Sequence, residues 1–137
     1  MNLHINRRHF LIATTALVAF PVAAFAAEEW IDYKPGVIQS LLNEGKTVFV
    51  DYAAVWCSTC KAQESVLNDL RAFNPAYNEA MVFVRVDWDN YGRHAVTTSR
   101  KIPRRSTLIV LRGSEELGRI VAGTRVSDIE ALMDLGL

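Results

Sequence analysis

Residues 47–54 read Thr-Val-Phe-Val-Asp-Tyr-Ala-Ala, with apolar side chains on both alternating faces. Val48, Val50 and Tyr52 fall on one face, Phe49 and Ala53 on the other. Such a strand has no side to give to water, so it belongs at the centre of a sheet covered on both faces. This segment points to an α/β domain.

The neighbouring patterns agree. Residues 28–34 are a polar lead-in with Trp30, Ile31 and Tyr33, consistent with a short edge strand. Pro35 can open a helix whose apolar face is Val37, Ile38, Leu41 and Leu42, and Gly45 supplies its stop. After Cys57 the period becomes helical, with Val66, Leu70 and Phe73 on one face beside Leu67, until Asn74-Pro75 ends the run. Residues 81–88 read as a second strand and residues 91–101 as a weak helix. Residues 107–111 and 117–122 form a hairpin around the polar turn 112–116. Ser127 and Glu130 suggest a capping box for a closing helix that carries Ile129, Leu132 and Met133. Helices crossing between strands imply parallel pairing, and the hairpin adds an antiparallel edge. The expectation is a small mixed sheet with helices on both faces, one domain over residues 27–137.

Residues 1–26 read as an address. Asn6-Arg7-Arg8 precedes an uncharged run from Phe10 to Phe20, then Pro21 and small residues through Ala24-x-Ala26. This is the pattern of an export signal cut after Ala26. The alternative is a membrane anchor, but Phe10 to Ala27 is only marginally long enough for the ~20 residues a span needs, and Pro21 interrupts it. Asn6 to Leu11 also resembles a twin-arginine signal. The whole chain of 137 residues balances 15 basic against 15 acidic side chains. The first 26 residues hold two arginines and no acid, which leaves 13 basic and 15 acidic groups, a net charge of −2, on 27–137. That balance argues against nucleic acid as a partner.

The two cysteines, Cys57 and Cys60, carry the chemistry. Cys57 falls where the buried strand ends and a helix begins. Free N–H groups and the helix dipole stabilise a thiolate there, so Cys57 is the expected nucleophile and Cys60 the resolving thiol. A zinc site would need further ligands, and His94 with scattered acids is a poor supply. A structural disulfide closing so short a loop would constrain the unfolded chain little. Two inert buried thiols are a third alternative, against which the polar Ser58-Thr59 pair argues for exposure. Asp51, six positions before Cys57 in an apolar strand, lacks an evident cationic partner and is expected to exchange protons near neutrality. It would accept the Cys60 proton, unless it is simply a satisfied polar residue at the strand's end. Arg85 and His94 are assigned surface roles.

The run Val50-Asp51-Tyr52-Ala53-Ala54-Val55-Trp56-Cys57-Ser58-Thr59-Cys60-Lys61 resembles the active-site segment of thioredoxins and related periplasmic thiol–disulfide proteins. With the element order and the strand running to Gly123, the resemblance spans about residues 36–137. It implies a thioredoxin fold and dithiol–disulfide exchange on protein disulfides by Cys57, Cys60 and Asp51, without a cofactor or bound metal. Trp56, Arg105, Ser106 and Thr107 would form the substrate contact. It further implies an exported, periplasmic monomer fed electrons by a membrane thiol-transfer partner, as a reductase or relay. A disulfide oxidant or isomerase is the alternative enzyme.

One position departs from the family pattern. Where thioredoxins place a cis-proline before the strand facing the disulfide, this chain has Ser106, and Pro103 lies three residues too early. A cis bond before a non-proline residue costs about 2.5–4 kcal/mol, so the loop either retains that strain or is trans and rebuilt. The Ser106 hydroxyl could then donate to the Cys57 thiolate. Loss of the proline also leaves open a binding module that holds metal or an iron–sulfur cluster through Cys57 and Cys60 in a dimer. Arg100, Lys101, Arg104 and Arg105 precede Ser106 as a solvated loop, or with Arg104 or Arg105 stabilising the thiolate or steering an acidic partner.

Overall fold

The computed structural model describes residues 29–137; the segment expected to be an export signal, residues 1–26, lies outside the described residues. Five strands, β1 (Ile31–Asp32), β2 (Thr47–Ala53), β3 (Met81–Asp87), β4 (Thr107–Arg112) and β5 (Glu115–Val121), form one sheet in the order β1-β3-β2-β4-β5. β1 and β2 flank β3 in parallel, while β4 runs antiparallel to both β2 and β5. Every residue of β2 is buried, as its two-sided apolar pattern requires.

Helix α1 (Val37–Asn43) and the short α5 (Ala95–Thr98) cover one face. There Ile38, Leu42 and Val96 pack on Val48, Val50, Tyr52, Val84 and Ile109. Helices α2 (Ser58–Phe73), α3 (Ala76–Ala80) and α6 (Val126–Asp134) cover the other, with Leu67, Tyr77 and Ile129 on Phe49, Phe83 and Leu108. The mixed sheet with helices on both faces is therefore observed, as is the edge strand in the lead-in.

Several local expectations are corrected. Phe73 is 87% exposed, because the inward stripe of α2 runs through Cys60, Gln63, Leu67 and Leu70, a path that leaves position 73 outside. A short α3 follows Pro75, where the turn Asn74-Pro75 restarts a helix instead of leaving a loop. Residues 91–101 do not make one helix. Asp87 ends β3 and caps α4 (Trp88–Tyr91) by accepting from the Asn90 N–H at 3.1 Å, and His94 caps α5 by accepting from the Val96 N–H at 3.1 Å. The hairpin turn is shorter than expected, with β4 ending at Arg112 and β5 starting at Glu115, and Gly113 supplies the positive φ of 58° that a tight turn needs. The capping box does not form, since α6 begins one residue before Ser127. Arg125 and Asp128 instead pair at 2.9 Å across its first turn.

Candidate active site

The site sits where β2 gives way to α2. Cys57 is the N-cap of α2, in extended conformation, and its sulfur accepts a hydrogen bond from the Cys60 N–H at 3.2 Å. An unpaired helix amide thus points at the sulfur, the environment in which a thiolate is stabilised. Cys57 and Cys60 are joined as a disulfide with their Cα atoms 5.3 Å apart. Both cysteines are only 3% exposed. Ser58 is open to solvent, but the exposure expected from Ser58-Thr59 does not extend to the sulfurs, which Ala53, Ala54 and Trp88 pack against.

Ser106 faces the disulfide with its hydroxyl 3.2 Å from the Cys57 sulfur and 3.1 Å from that of Cys60. The Arg105–Ser106 peptide is trans, and Ser106 takes a left-handed backbone with φ 63°. Its N–H donates to the Tyr52 carbonyl at 2.8 Å and its carbonyl accepts from the Ala122 N–H at 2.8 Å, so the residue is tied to β2 and to the end of β5. The rebuilt trans loop is the one adopted. The Thr107 hydroxyl turns into that loop and donates to the Arg104 carbonyl at 2.7 Å.

Trp56 is 56% exposed beside the exposed Val55. Its indole N–H donates to the Asp89 carboxylate at 3.0–3.1 Å, and the Arg105 guanidinium lies 4.5 Å from its ring centroid. Arg105 therefore places its charge over Trp56.

Asp51 is fully buried beneath the site. Burial is the main cause that pushes its carboxyl from 3.8 up to about 7; Arg85 opposes the rise and Glu64 adds to it. The expectation that Asp51 lacks a cationic partner, with Arg85 on the surface, is corrected. Parallel register sets Arg85 beside Asp51 on the same face, and its Nε lies 3.7 Å from the carboxylate. That distance is an ion pair without a hydrogen bond, and both Asp51 oxygens lack a hydrogen-bond partner. Arg85 gives its shorter contact, 2.9 Å, to Glu64 on α2. His94 is exposed, as expected.

A groove of about 660 Å³ opens beside Cys60 and is lined by Tyr33, Ala53, Glu64, Arg85 and Tyr91 among others. It brings solvent to the groups surrounding Asp51. Sequence reasoning missed Gln63, Glu64, Trp88 and Asp89 as well as the role of Arg85. Only Gln63 left a signal, as an amide in the apolar stripe of α2. Among the described residues no cluster of three or more His, Cys, Asp or Glu is placed to hold a metal ion, and the two sulfurs are bonded to each other, so the metal or iron–sulfur module is not favoured.

Comparison with known proteins agrees with this geometry. A family model described as thioredoxin-like matches residues 29–108. Thioredoxin H7 of Arabidopsis thaliana is 35% identical over 85 residues, 62% of this chain and 61% of that protein. Thioredoxin H2-1 of Oryza sativa is 31% identical over 83 residues, so the match spans only about half the relative's length (56%) and 61% of this chain. The thiol:disulfide interchange protein DsbE of Yersinia pestis is 36% identical over 58 residues, 42% of this chain and 31% of that protein. Among solved structures, Trxlp from Edwardsiella tarda superposes with a TM-score of 0.64 at 28% identity, over 74% of this chain and 97% of that one. Reduced Schistosoma mansoni thioredoxin pre-protein gives 0.62 at 28% identity, over 80% and 99%. With the fold, the cysteine pair at the mouth of α2 and a family model covering more than half its length, the chain belongs to the thioredoxin-like family.

Proposed function

We propose that this chain is an exported thiol–disulfide oxidoreductase that reduces protein disulfides or relays them, working as a monomer. The observation that carries the reading is the Cys57 sulfur, capping α2 within reach of the Cys60 amide, the Cys60 sulfur and the Ser106 hydroxyl.

In the reduced protein the Cys57 thiolate attacks one sulfur of a client disulfide. A mixed disulfide forms, the client's S–S bond breaks, and its second sulfur leaves and takes a proton. Cys60 then gives its proton to Asp51 and attacks the Cys57 sulfur. The client departs as a dithiol, and the Cys57–Cys60 disulfide seen in the structure is the product. Two electrons pass from the cysteine pair to the client. The Ser106 hydroxyl donates to the Cys57 thiolate while it waits. Trp56 and Val55 offer an exposed apolar edge to the client, with the Arg105 guanidinium over the Trp56 ring and the buried Ser106 behind the two sulfurs. Outside the cytoplasm a membrane thiol-transfer protein would return the electrons.

Export rests on residues 1–26; among the described residues no helix is long and apolar enough to cross a membrane. Cell fractionation, with the mass of the processed amino terminus, tests that part. The chemistry is tested with Cys60→Ser, which should accumulate a Cys57 mixed disulfide with client proteins. Absence of any such adduct, with Cys57 reduced and accessible, refutes the reading. Equilibration with glutathione gives the direction. A potential near ~−270 mV fits a reductase, and one near ~−120 mV an oxidant.

A further inference from the structure

The segment facing the disulfide is held by an unusual set of contacts. Ser106 and Ala122 both adopt left-handed backbone, with φ of 63° and 60°, although neither is glycine. A Cβ makes that region costly, so it persists only where surrounding contacts over-determine it. The two residues are joined by the hydrogen bond from the Ala122 N–H to the Ser106 carbonyl. A second donor reaches the same carbonyl from Gln63, whose side-chain NH2 donates to Ser106 O at 3.1 Å and to Gly123 O at 2.9 Å.

Gln63 is fully buried, on the turn of α2 directly after Cys60 and among otherwise apolar inward positions. A buried amide is costly unless its polar atoms are used. Here both neighbours of the NH2 group are carbonyls, which fixes the amide's orientation, while its oxygen is left without a partner. The position gains nothing over leucine except the grip on residues 106 and 123.

We infer that Gln63 is a positioning residue for the redox pair: by clamping the Ser106 and Gly123 carbonyls it keeps the Ser106 hydroxyl against both sulfurs. The inference rests on the reading that Cys57 and Cys60 exchange with thiols. Gln63 donates to the Ser106 and Gly123 carbonyls and acts through Ser106. A hydroxyl bonds a thiolate more strongly than a disulfide sulfur, so a correctly aimed Ser106 favours the dithiol form.

The test is the equilibrium of the full chain with glutathione. Ser106→Ala should shift it about tenfold toward the disulfide, ~30 mV. Gln63→Met, of similar length but without donors, should shift it in the same direction by roughly three- to tenfold. The double variant should shift no further than Ser106→Ala alone, because both changes act through the same contact, that of the Ser106 hydroxyl with the sulfurs. Additive shifts, or a Gln63→Met protein indistinguishable from the parent, would overturn the inference. Should Gln63→Met fail to fold, Gln63→Asn, one methylene too short for both carbonyls, is read in the same way. Failure of both to fold would assign Gln63 to the fold alone and overturn the inference as well. A parent that never equilibrates with glutathione sinks the oxidoreductase reading and this inference with it, whereas additivity sinks the inference only.

Discussion

Asp51→Asn should stabilise the oxidised protein by an amount that grows with pH. The Asp51 carboxyl is pushed from 3.8 to about 7 in the fold, chiefly by burial. The folded state therefore holds its proton where the unfolded chain has released it, and folding carries a penalty. That penalty is absent below the unfolded value, increases as pH rises from about 4, and is complete above about 7. At ~1.36 kcal/mol per unit it reaches about 4 kcal/mol at pH 8 and about 2 kcal/mol at pH 5. Asparagine has the same shape and no titration, so it escapes the penalty. Its amide brings a cost of its own for unpaired polar atoms, but that cost does not change with pH. The diagnostic is therefore the change in the difference between the two proteins, about 2 kcal/mol between pH 5 and pH 8.

Urea unfolding of both proteins, disulfide intact, measures this directly. With m-values of roughly 1–3 kcal/mol per molar, the midpoints should separate by a further ~1–2 M on going from pH 5 to pH 8. A separation constant across that range would show that Asp51 does not titrate there. The same result would remove its role as acceptor of the Cys60 proton, since a carboxylate ionised throughout at pH 5 binds that proton too weakly. In stopped-flow with a disulfide client, Asp51→Asn should slow resolution of the mixed disulfide more than the initial attack. Equal slowing of both steps would count against the assignment.

Three further outcomes follow from the same contacts. Arg85→Met removes the cation that opposes the rise in Asp51 and should move the pH midpoint of the resolution rate upward, whereas Glu64→Gln removes a like charge and should move it downward; midpoints moving together would break the electrostatic account. Ser106→Gly should stabilise the fold by about 1 kcal/mol in thermal unfolding by relieving the left-handed backbone, less what the lost hydroxyl contributes. Ser106→Pro should destabilise it by about 3 kcal/mol or more, because proline needs φ near −65° and has no N–H for the Tyr52 carbonyl. Phe73→Ser should change stability by less than about 0.5 kcal/mol, while Leu67→Ala, at a fully buried position on the same helix, should cost about 2–5 kcal/mol.

What could be read along the chain, and what could not, separates by the range of the interaction. The covered strand of β2, the helix beginning at Cys57 and the buried Asp51 were legible because two-residue and 3.6-residue periods are local. Phe73 was misread because α2 offers two adjacent stripes, 66-70-73 and 60-63-67-70, and only the packed sheet chooses between them. Arg85 was misread for a different reason. Its proximity to Asp51 exists only once β2 and β3 pair in parallel at the register that sets those residues side by side. Ser106 is the strongest case. Substituting serine for the family's proline announces a change in the loop, but serine has no preference for a positive φ that would announce which change. The conformation comes from non-local contacts: Gln63, 43 positions earlier in the sequence, on the Ser106 carbonyl, the Tyr52 carbonyl on the Ser106 N–H, and the Ala122 N–H from the end of β5. Cys57, Cys60 and Asp51 were therefore placed in the fold by local pattern, while the groups that contact them entered through cross-strand and helix-to-loop contacts. For this reason the tuning of the redox pair, rather than its existence, is where structure adds most to the sequence.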